Sequence, residues 1–135
     1  MKLIYTTLLT VGLALGATPN MKAVTEQARG AQQVATEIHT MLKSKAVDMT
    51  VVATKVETLH RHALAMHDEM ASADRSNPEH AKLQDATTIL KTLTEGKMTL
   101  AATATSKDRA SLRMTAANMM SRTSMIMKAA GKIGG

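Results

Sequence analysis

No cysteine, phenylalanine or tryptophan occurs among the 135 residues of this chain, and its single tyrosine, Tyr5, lies within the first seventeen. Without cysteine there is no disulfide, no thiolate metal ligand and no site for lipidation after export. Without aromatic rings beyond Tyr5 there is nothing to stack on bases, which argues against nucleic acid despite a net charge of +6. Proline is confined to Pro19 and Pro78, so the long stretches between carry no obligatory helix breaker. No apolar run reaches the ~20 residues that a membrane-spanning helix needs. The chain also lacks H-E-x-x-H, G-x-S-x-G, a glycine-rich phosphate loop and the paired Glu-x-x-His of di-iron bundles. These absences argue against an enzyme.

The residues that remain are distinctive. There are twelve methionines, all but Met1 beyond the opening segment, together with five histidines. Thioether side chains are adaptable core fillers and are also soft metal ligands. Residues 1–17, MKLIYTTLLTVGLALGA, combine a lysine, an apolar stretch from Leu3 to Leu15 and small residues at Ala14, Gly16 and Ala17. That is the layout of a secretory signal peptide, and it predicts a periplasmic or secreted product. The expected mature segment, 18–135, has about the length of one domain with a single core.

Charge is unevenly placed. Up to Gly96 the mature segment carries basic and acidic residues in near balance, whereas from Lys97 onward seven basic residues face Asp108 alone. A basic segment at 107–132 predicts docking on an anionic membrane surface or an acidic protein partner.

Apolar residues recur at alternating spacings of three and four, the seam of a packed helix. One seam runs Val24, Ala28, Ala31, Ala35, Ile38, Leu42, and a second runs from Met49 through Val56 and Leu59 to Met66 and Met70. A shorter one, Leu83, Ala86, Leu90, Leu93, precedes a last from Leu112 through Met119 and Ile126 to Ile133. Thr18-Pro19-Asn20 opens the first helix, Ser44-Lys45 joins it to the second, and Asn77-Pro78 supplies an N-cap and a first helical residue for the third. Glu95-Gly96-Lys97 is expected to end the third helix, with Gly96 in the left-handed conformation. Met98 to Ser106 is in phase with the last seam, which favours its joining the last helix, while its threonines favour a loop. Gly131, Gly134 and Gly135 are expected to fray the end. The pattern predicts an all-α, antiparallel up-down four-helix bundle whose alanine-rich seams approach closely.

Up-down connectivity brings together the start of helix one, the end of helix two, the start of helix three and the end of helix four. That pole collects Met21, Met66, His67, Met70, His80, Met119, Met120, Met125 and Met127, whereas His39, Met41, Met49 and Met98 fall at the other. His67 and Met70 are spaced i, i+3, and Met66 and Met70 i, i+4, so each pair shares a face. His60 and His67, seven apart, are about 10 Å apart along the axis and do not form a natural chelating pair. Thioether plus imidazole, without thiolate or a carboxylate cluster, favours Cu(I) or Ag(I) over Zn or Ca, with Cu(I) the expected ion. The expected metal set is Met66, His67, Met70, Met21, His80, Met120 and Met127. The same spacing equally describes core methionines and histidines bonded to a neighbouring helix. Met114 and Met125 fall off the seam among lysines and are expected to be exposed.

Asn20-Met21, Ser76-Asn77-Pro78-Glu79 and Glu95-Gly96-Lys97, set in a four-helix pattern behind a signal peptide, resemble the soluble periplasmic b-type cytochromes. The resemblance implies haem b as a second possible cofactor and electron transfer as a second function, with Met21 as one axial ligand. The family's histidine near the end of helix four has no counterpart, since no histidine follows His80. Met119 or Met120 would take its place. A third reading is a cofactor-free helical adaptor that docks through its basic last helix.

Overall fold

The computed structural model describes residues 18–103 and 105–134; the expected leader, 1–17, lies outside them. Helix α1 spans Met21–Met41, α2 Met49–Met70 and α3 Pro78–Thr92. A π-helical turn, Leu93–Met98, carries α3 directly into the short α4, Thr99–Ala102, and α5 spans Arg109–Gly134. The result is a bundle of four helical rods, with no strand among the described residues. Among the described residues no helix is long and apolar enough to cross a membrane.

Helix starts follow local chemistry. Asn20 accepts from the Ala23 N–H at 3.1 Å, Asp48 from Thr50 at 2.9 Å, and Asn77 from Glu79 at 3.0 Å with Pro78 behind it. Each such cap satisfies an N–H that the helix cannot, worth about 1 kcal/mol. Asp108 plays the same part for α5, accepting from Ser111 at 3.0 Å.

The core runs along the seams. Ala28, Ala31 and Ala35 of α1 are completely buried, and these small side chains let α1 pack extensively against α5 and α2. Cross-links tie specific levels together. The Asn20 N–H donates to Glu69 Oε2 at 2.9 Å, and Lys55 pairs with Glu37 at 2.9 Å. Gln84 Nε2 donates to the Met70 carbonyl at 2.9 Å, binding the end of α2 to α3. The Arg109 guanidinium donates to the carbonyls of Leu42, Ser44 and Lys45, so the start of α5 caps the end of α1 and the joint after it.

The third rod departs from expectation in two ways. Glu95-Gly96-Lys97 does not end it: the backbone winds on through the π turn, and Gly96 keeps ordinary negative φ. Hydroxyls add to the backbone bonds there, where the Thr99 N–H also reaches the Thr94 carbonyl. Thr94 Oγ1 donates to Leu90 and Lys91 carbonyls, and Thr99 Oγ1 donates to the Thr94 carbonyl at 2.6 Å. The heptad set by Leu83 and Leu90 would carry Lys97 into the core. The wider turn admits one more residue, so Met98 is buried instead and Lys97 stays exposed. Second, Thr87 and Thr94 are buried where Ala86 and Leu93 were expected and are only half covered. Burial is tolerable because both hydroxyls donate to carbonyls of their own helix.

Met98–Ala102 therefore belongs to the third rod and not to the last helix. The break before α5 takes in residues 103 and 105–108, where the Asp108 N–H donates to the Ala101 carbonyl at 2.7 Å and Lys107 adopts a left-handed φ of 44°. At the far end, Gly131 and Gly134 do not fray the helix, which stays regular to Gly134. Gly134 lies so close to α1 that a Cβ there would meet Met21 Cβ at 2.9 Å.

Candidate functional site

Of the methionines expected at one pole, Met66 and Met70 are completely buried on α2, and Met21 is buried at the start of α1 against Gly134. The Asn20–Glu69 bond places the start of α1 beside the end of α2. Met21, Met66, His67 and Met70 therefore share one end of the bundle. Their placement follows from seam spacing on α2 and from the Asn20 cap that sets where α1 begins.

The three histidines of α2 differ in how they are satisfied. His60 Nδ1 hydrogen-bonds Thr94 Oγ1 of the π turn at 2.9 Å. His62 Nδ1 hydrogen-bonds Gln27 Oε1 on α1 at 2.8 Å, and burial pushes its pKa below the ordinary histidine value. His67 has no such partner: its Nδ1 is buried and unbonded. A buried polar atom left without a partner costs about 1–3 kcal/mol, so it marks a place where a ligand would be favourable.

Of the other expected ligands, Met120 lies at a different level of the bundle. Gln32 Nε2 donates to the Met120 carbonyl at 3.2 Å. Gln32 is eleven residues beyond Met21 on α1, about 16 Å along the axis, so Met120 and neighbouring Met119 belong to the middle of the bundle. Met127 is half-buried against the core, and His80 borders a hollow with Asn77, Glu79, Lys132 and Ile133, beside the Gly134 that meets Met21. Met114 and Met125 are 70% and 67% exposed. Among the described residues no three His, Asp or Glu side chains converge; Met21, Met66, His67 and Met70 bring three thioethers and one imidazole to this end, where the Glu69 carboxylate is engaged by the Asn20 N–H.

The sequence allowed for histidines bonded to a neighbouring helix but did not identify Thr94 as the partner of His60 or Gln27 as that of His62. The only signal was indirect: Thr87 and Thr94 recur at seven residues in a helix whose apolar seam is weak. Comparison with known proteins finds no matching family model, no matching curated protein and no matching solved structure.

Proposed function

We propose that the protein is an exported helical bundle that binds a soft metal ion, Cu(I), at the end where Met21, Met66, His67 and Met70 meet, for storage, delivery or tolerance. The observation that carries this reading is the buried, unpartnered Nδ1 of His67, flanked in sequence by Met66 and followed one turn later by Met70. Thioether and imidazole are donors that favour Cu(I) over harder cations. His67 would supply nitrogen and the methionines sulfur, while the surrounding buried side chains exclude water. The reading takes the bundle as antiparallel and up-down. Its support is the descending order of cross-links: Asn20 with Glu69 and Glu37 with Lys55, Met70 with Gln84 and His60 with Thr94, Gln32 with Met120 and Leu42 with Arg109. The contact of Met21 with Gly134 brings α1 and α5 close together at this end, a spacing that suits an ion better than a porphyrin.

The test is Cu(I) titration against a competing chelator, with melting temperature as a second readout. Wild type should bind and gain stability by mass action. The triple variant Met66→Leu, His67→Gln, Met70→Leu should fold but show neither effect, since Leu closely replaces Met in volume. Met41→Leu with Met49→Leu should behave as wild type. Absence of a Cu(I)-dependent shift in wild type would refute the reading.

A further inference from the structure

Among the main helix pairs, α3 and α5 pack least tightly, and an open groove of about 700 Å³ runs between them. Its floor is apolar: Leu83 and Ala86 from α3, Ile126 and Ala129 from α5. The cause is in the sequence. With Thr87 taking the buried position, Ala86 is only half covered and lines the groove opposite Ala129, and two methyl groups do not fill the space between helices. The rim is cationic, with Lys82 on one wall, Lys128 and Lys132 on the other, and Glu79 the one carboxylate. None of these lysines forms a salt bridge among the described residues. Met125, a flexible thioether, lines the groove while remaining largely exposed.

We infer that this groove binds a fatty-acid anion, with the alkyl chain on the floor and the carboxylate between Lys128 and Lys132. Both walls span eight residues, 79–86 and 125–132, a rise of about 10 Å at 1.5 Å per residue. That length suits a medium alkyl chain and is short for a docked helix of several turns. An apolar concavity with a few charged groups at its edge is the usual form of a small-ligand site. The uncompensated lysines select the sign of the head group. The site is separate from the buried Met66–Met70 cluster, so it stands or falls independently of copper.

The experiment uses metal-free protein and decanoate below its micellar concentration, followed by calorimetry and melting temperature. Saturable binding with a rise in melting temperature is expected, while decyltrimethylammonium, the same chain with opposite charge, should produce neither. Ala129→Leu and, separately, Ala86→Leu should each fill the floor and abolish binding while circular dichroism stays helical. Lys128→Glu with Lys132→Glu should weaken decanoate at least tenfold. Equal effects of the two amphiphiles, or unaltered binding by both groove-filling variants, would overturn the assignment. So would binding to anionic vesicles without binding to decanoate, which would make the basic face a membrane-docking surface.

Discussion

The imidazole of His62 on α2 lies directly over Gly30 on α1, so that a Cβ added at Gly30 would stand 2.6 Å from His62 Cε1 and 3.0 Å from both ring nitrogens. Glycine in mid-helix is ordinarily inferior to alanine by about 0.5–1 kcal/mol. Here it is the residue that lets an imidazole insert between two helices. The ring is held by Gln27 and cannot rotate aside without losing that bond. Gly30→Ala should therefore destabilise by about 1–3 kcal/mol, the usual cost of overpacking. The same change in a His62→Ala background should be neutral or stabilising. A double-mutant cycle by urea denaturation measures the difference, and additive effects would show that the ring is free to move.

The same histidine predicts a pH dependence. Burial holds its folded pKa below the ordinary value of 6.5, so the unfolded chain binds more protons in the interval between the two. Its contribution is fully present above pH 6.5 and is lost as pH falls from 6.5 toward the lowered folded value. Denaturation midpoints at pH 7.5 and 5.5 should differ more for wild type than for His62→Gln. Identical differences would remove His62 as a source of the effect.

Gly96 offers a clean contrast between two backbones. Had it capped a helix in the left-handed region, alanine there would be strained. It is helical with nothing within 4 Å of a built Cβ, so Gly96→Ala should stabilise by about 0.5–1 kcal/mol. Destabilisation of that size would mean that the third rod ends at residue 95.

Lys107 turns the chain between α4 and α5 at a φ of 44°, in a region that costs a side-chain-bearing residue about 1–2 kcal/mol. Lys107→Gly should relieve part of that strain and raise the melting temperature, with a net gain of about 0.5–1 kcal/mol after the added entropy of the unfolded chain. A lower melting temperature would show that the Lys107 side chain contributes more than its backbone strain costs.

Helix class, the caps at Asn20 and Asn77, and the inward faces of α1, α2 and α5 were legible in the sequence because each depends on residues within one or two turns. A seam such as Val24, Ala28, Ala31, Ala35 needs only 3.6-residue periodicity, and a cap needs only an oxygen two or three residues from an unbonded N–H. The absence of cysteine and aromatics likewise restricted any soft-ligand site to methionine and histidine. The tertiary structure decided what periodicity leaves open. Continuing the third rod through Gly96 goes with wide-turn backbone bonds supplemented by threonine hydroxyls and with the burial of Met98 in place of Lys97. The level of Met120, well away from Met21, depends on the register set by Gln32. His60 and His62 look alike in sequence as potential ligands, yet each finds a partner on a neighbouring helix, and His67 does not. Local hydrogen bonds and side-chain periodicity are properties of the chain; register, and which buried nitrogen goes unbonded, are properties of how separate helices meet.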